Sequence, residues 1–166
     1  MILAYHGTGL IGAAIRRQTR GKYSHVAWCG MNGDVIEAWH IGGVLHSDNP
    51  FVLHGLDAKF DVYSVRCLTG IQTLHTWQFL LSQVGKGYDF AGIVRFLSGV
   101  NRNNWDRWFC SELVAEALEN AGRPMLQTEA WRLSPVTLCW SNELTLAAQN
   151  VGIEWWTETF QRLLKA

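Results

Sequence analysis

Hydrophobic and polar positions are most clearly ordered between Trp105 and Gly122, which read WDRWFCSELVAEALENAG. Cys110, Leu113, Val114, Ala117, Leu118 and Ala121 recur at helical spacing and form one apolar stripe, with Glu112, Glu116 and Glu119 on the other side. Asp106 is placed to cap the start, and Gly122 falls where a left-handed residue ends a helix, with Pro124 beyond it. The pattern predicts a helix of about three to four turns with Cys110 in its first turn. A thiol there meets the positive end of the helix dipole, which favours thiolate.

Upstream the period changes. Ile2 to Tyr5 is a short apolar run, read as a strand, and Leu10 to Arg20 reads as a short helix stopped by Gly21. Tyr23 to Gly30 (YSHVAWCG) and Asp34 to His40 (DVIEAWH) read as two strands joined around Met31-Asn32-Gly33. Gly42 to Val52 is broken by Gly, Asp and Pro and holds at most one short strand. Phe60 to Arg66 alternates and is rich in β-branched residues, as a strand should be. Thr69 to Val84 is predicted helical, capped by Thr69 or Thr73 and ended by Gly85, and Tyr88 to Ser98 gives a second helical pattern. Gly99 to Asn104 reads as a polar loop. A Ser-Pro turn at Ser134 opens a possible short helix within Leu133 to Leu144. Val151 to Trp155 is either a strand or part of a final amphipathic helix through Leu164, docked over the core or touching a membrane surface through Trp155 and Trp156. Strands first and helices mostly later point to an α+β fold in one domain, residues 1–166.

The hairpin turn makes a sharper prediction. If Met31-Asn32-Gly33 is a three-residue loop with Gly33 left-handed, Gly30 pairs with Asp34, Ala27 faces Glu37 and His25 faces Trp39. Strand alternation then puts His25 and Glu37 on one face as diagonal neighbours. A two-residue loop would send Glu37 to the opposite face. A carboxylate on an apolar face needs a partner, and His25 is the one at hand. With Cys110 the set becomes Cys–His–Glu: Glu37 fixes the imidazole and the other ring nitrogen takes the thiol proton. The expectation is spatial: the Cys110 helix should pack on the face that carries His25.

Composition narrows the alternatives. With 48% hydrophobic and 17% charged residues the chain is globular. Basic and acidic residues number 14 each and form no basic run, so nucleic acid is not an expected partner. Cys29, Cys67, Cys110 and Cys139 are scattered without a CxxC pair, which argues against a zinc ribbon or a disulfide framework and suits reduced thiols in a cytoplasmic setting. The first residues carry no basic n-region, no apolar run reaches about 20 residues, and neither a signal peptide nor a membrane span is expected. A metal site built from His25, Cys29 and one of His40, His46 or His54 is disfavoured, because His25 and Cys29 lie too far apart along one strand. The expectation is therefore no metal and no cofactor.

The segments YSHVAW, NGDVIEAW with GGV, YDF, FCSELV and the LSP turn resemble the circularly permuted NlpC-like cysteine hydrolases of the YiiX type, in the papain-like clan. The resemblance spans roughly Ile2 to Leu144, and SHV and CSELV are its specific parts. It implies a permuted papain-like fold in which the histidine strand precedes the nucleophile helix. By position it implies His25 as base, Glu37 as third member, Cys110 as nucleophile and Tyr88 as a possible oxyanion or substrate-orienting aromatic. Asp89 reads as a helix cap. The implied chemistry is acyl transfer on a peptide, amide or acyl-ester substrate through a thioester. A non-catalytic binding module and a lipid acyltransferase are the rivals, and a module would keep Cys110 occluded.

Overall fold

The computed structural model describes residues 1–7, 9–90 and 106–163. Its centre is a sheet of six antiparallel strands: β1 (Ile2–Tyr5), β2 (His25–Cys29), β3 (Val35–Trp39), β4 (Gly43–Ser47), β5 (Phe60–Val65) and β6 (Leu144–Val151), in the order β4-β3-β2-β1-β5-β6. Helices α1 (Leu10–Thr19), α2 (Gly70–Gln83), α3 (Cys110–Asn120), α4 (Pro135–Leu138) and α5 (Ile153–Leu163) surround it. This is the α+β arrangement of an antiparallel sheet packed against helices that the period changes predict.

The two faces of the sheet bury different partners. Val26, Trp28, Ile36 and Ala38 point to the face covered by Leu113, Val114, Ala117 and Leu118 of α3. Leu3, Ala27, Cys29, Val35 and Phe60 point to the other, covered by Phe51 and by Trp156 and Phe160 of α5. Each aliphatic side chain sealed this way contributes about 1.5–3 kcal/mol relative to exposure. α5 therefore docks on the core, with Trp156 inside.

The helix ends show local causes. Thr69 caps α2: its hydroxyl accepts the Gln72 N–H while the Gln72 side chain accepts the Thr69 N–H. Ser134 opens α4 with Pro135 in its first turn. α3 ends as predicted: Gly122 is left-handed (φ 73°), its N–H bonds Glu119 O, and the Arg123 N–H bonds Leu118 O. Its start differs. The first helical residue is Cys110, not the turn after Asp106, because Arg107–Trp108 are drawn out into a two-residue strand (β8) beside Gly87–Tyr88 (β7). The Glu112 carboxylate accepts the Phe109 N–H instead.

Two further expectations change. Tyr88 lies in β7 rather than in a helix, and the rest of the helix read over 88–98, like the loop over 99–104, lies almost wholly outside the described residues. β6 carries no sequence signal: TLAAQN has neither alternation nor β-branched enrichment, and most of the strand is exposed at the sheet edge. At the far edge Gly43 has φ 80°, and a side chain there would lie 2.0 Å from Lys86 O, so only glycine lets the 84–88 segment dock on β4.

Candidate active site

The hairpin follows the three-residue register. Trp28 pairs with Ile36 and Cys29 with Val35, the Gly30 N–H bonds Asp34 O at 2.8 Å, and Gly33 takes φ 96°. Alternation then carries His25 and Glu37 to the same face, and His25 Nε2 lies 2.6 Å from Glu37 Oε2. Regular β2–β3 pairing covers only those two rungs, so the strands part on the side where His25 sits.

A second imidazole completes the group. His54 Nε2 lies 2.7 Å from the same Glu37 oxygen. It arrives from the 48–57 connection, which Phe51 anchors in the core and Tyr5 ties down through a 3.2 Å bond to Pro50 O. The His54 ring stacks on Tyr5, with centroids 3.7 Å apart at 9°. It also meets Trp39 edge-on. Sequence period could not find His54, since it lies in an irregular segment.

Burial and charge set the protonation pattern. Burial pushes the Glu37 carboxyl up, but the hydrogen bonds from His25 and His54 outweigh this and hold it well below the usual carboxylate range. Burial pushes the His25 imidazole down, against the pull of Glu37, and favours its neutral form. An ionised carboxylate only accepts, so both rings present Nε2–H to Oε2, and His25, favoured neutral by its burial, keeps a bare Nδ1.

Cys110 departs from expectation in two ways. Its helix packs on the face carrying Val26 and Trp28, opposite the one to which His25 points. Both faces of β2 and β3 are apolar, so the helix stripe matches either equally well. The thiol is also fully buried, and that burial pushes it up to about 12; the Val26, Ser111 and Cys110 backbone N–H groups that bond the sulfur, at the positive helix end, only partly offset this. The sulfur thus sits at the amide that follows His25, where the β2–β3 ladder has opened, and feels the Glu37 charge.

Tyr88 links the two sides. It packs in the same core as Cys110, and burial raises its phenol well above the ordinary value, so it remains an O–H donor. It also lines a cleft of about 560 Å³ with His25, His54, Trp39, Leu10 and Ile15. Cleft and buried polar cluster together make this the candidate functional site. Asp89 is buried beside Tyr88, and its N–H bonds Trp108 O; it directly precedes helical Phe90, and the segment it was expected to cap otherwise lies outside the described residues. His46 pairs with Asp34 at 3.2 Å on the outer rim of the hairpin, away from this cluster, and Cys29 donates to its neighbour's carbonyl, Gly30 O, at 3.1 Å. The trio of His25, Cys29 and a third histidine does not form among the described residues.

No protein-family model matches the chain, and no curated protein matches it. Among solved structures it is similar to the crystal structure of the metalloprotein YiiX from Escherichia coli O157:H7, at 20% identity and a TM-score of 0.66, over 90% of this chain and 95% of that one. The likeness is one of fold: an antiparallel sheet with helices, consistent with a papain-like arrangement. Among the described residues no helix is long and apolar enough to cross a membrane.

Proposed function

We propose that the chain is a thiol-dependent hydrolase of the acyl-transfer class, acting on a peptide, amide or acyl-ester bond. The observation that carries this reading is the buried 2.6 Å contact of His25 with Glu37, set beside a cysteine at the start of a helix. Glu37 holds the Nε2–H of His25 and leaves Nδ1 to accept the thiol proton. The Cys110 sulfur, at the amide after His25, then attacks the carbonyl carbon as its proton moves to the ring. With the thiol held near 12, the resting pair is neutral, and charge separates only as the sulfur–carbon bond forms. The N–H groups at the start of α3 and the Tyr88 hydroxyl are the donors for the developing oxyanion. His25 returns the proton to the leaving amine or alcohol, and water resolves the thioester.

Complete burial of Cys110 favours a second reading, a binding module that has kept the fold without turnover. The two separate by experiment. Against a library of amides and esters, Cys110→Ala and His25→Gln should each lose turnover by at least about a hundredfold while circular dichroism stays native. Turnover retained in a folded Cys110→Ala protein rules out the thiol mechanism. A wild-type thiol inert to iodoacetamide, together with saturable ligand binding and no turnover, establishes the module.

A further inference from the structure

A thiol mechanism needs one imidazole on its carboxylate. This chain brings two, and the second is built in: His54 is held by ring stacking on Tyr5, its side chain is 8% exposed, and its Nε2 aims at the oxygen that already receives His25. We propose that His25, Glu37 and His54 form a site for a divalent cation of the zinc type, and that occupying it takes His25 out of the thiol chemistry. The second clause rests on the hydrolase reading; the first does not.

The ligand atoms of the three residues all lie within 4.8 Å of one another. A tetrahedral zinc holds nitrogen and oxygen at about 2.0–2.2 Å, which puts neighbouring ligand atoms about 3.3 Å apart. The present contacts of 2.6 and 2.7 Å therefore need to open by roughly 0.6–0.7 Å each to admit the ion. That opening is a matter of side-chain rotation at Glu37 and the two rings. Two imidazoles and one carboxylate suit zinc and its first-row neighbours, and are too nitrogen-rich for magnesium or calcium. His25 and His54 both line the 560 Å³ cleft, so the fourth position opens towards it and is left to water or a ligand.

Ligation and base catalysis exclude each other by proton position. In the hydrogen-bonded form each Nε2 carries a proton, and the Nδ1 of His25 is the free acceptor. Metal binding requires both Nε2 lone pairs, so each ring gives up its Nε2 proton, and in His25 that proton moves to Nδ1. His25 Nδ1 then cannot accept from Cys110. Zinc becomes a reversible inhibitor of the thiol reaction at the same side chains.

The test titrates the chelator-treated full chain with Zn²⁺ by calorimetry and with Co²⁺ by visible absorption. One equivalent should bind, with tetrahedral d–d bands and no sulfur-to-cobalt charge-transfer band. His54→Ala should weaken binding at least tenfold, and His54→Gln should do the same if the alanine variant folds poorly. Cys110→Ala should bind within about twofold of wild type, a readout that does not depend on turnover. Thiol turnover, where present, should fall on adding Zn²⁺ and return with chelator. Absence of one-to-one binding, full affinity in a folded His54 variant, or a tenfold loss in Cys110→Ala would each overturn the site. A chain that binds zinc but forms no acyl-enzyme retains the metal site and loses only the hydrolase reading.

Discussion

Replacing Glu37 by glutamine keeps its size and removes one negative charge from a buried position behind the two imidazoles that line the cleft. Glu37 is 1% exposed, and a single oxygen receives Nε2–H groups at 2.6 and 2.7 Å. A hydrogen bond to a charged acceptor is worth about 1.5–3 kcal/mol and a neutral one about 0.5–1.5, so two bonds lose about 2–3 kcal/mol together. Relief from burying a charge returns part of this, leaving a net loss of about 1–2 kcal/mol. For a chain of this size that is a fall in Tm of about 2–8 °C. The pH dependence sharpens the test. The folded carboxyl lies below its ordinary 4.5, so its stabilisation is complete above that value and is lost as pH falls below it. Glutamine takes up no proton. The Tm gap between wild type and Glu37→Gln, followed by circular dichroism, should therefore be widest near neutrality and close on acidification. An absent gap, or one that does not change with pH, would refute the charged acceptor.

Other outcomes follow from single contacts. Burial lowers the His25 imidazole below its ordinary 6.5, so wild-type stability should be complete above that pH and decline as pH falls below it, and His25→Gln should flatten this part of the Tm–pH curve. Gly43→Ala meets Lys86 O at 2.0 Å as well as a left-handed backbone and should cost at least about 2 kcal/mol, whereas Gly122→Ala, also left-handed but in open space, should cost about 1; urea unfolding compares them. Iodoacetamide on the native chain, mapped by peptide mass, should label exposed Cys67 before buried Cys110.

Much of the site was legible where local chemistry allowed one answer. Gly33 dictates the loop length, the loop length dictates the register, and the register brings Glu37 to His25. Gly122 and the stripe on α3 mark that helix and its end for equally local reasons. What stayed hidden depended on tertiary choice. Val26 and Trp28 are as apolar as Ala27 and Cys29, so nothing along the chain says which face of the sheet receives α3, and the structure takes the one opposite His25. His54 comes from a segment without period, and its place is set by Tyr5, about fifty positions earlier. β6 is an exposed edge strand that needs no apolar alternation, so its sequence shows none. The thiol also reversed expectation: a helix start favours thiolate, but complete burial of Cys110 outweighs it.

The central claim is that the Cys110 sulfur becomes acylated with His25 as its base. Mass spectrometry of the chelated protein, quenched in acid after mixing with activated esters and amides, measures this directly. A single acyl adduct mapped to Cys110, absent from Cys110→Ala and strongly diminished in His25→Gln, is the expected result. No adduct, an adduct at Cys67 alone, or acylation of Cys110 that is equally fast in His25→Gln would contradict it.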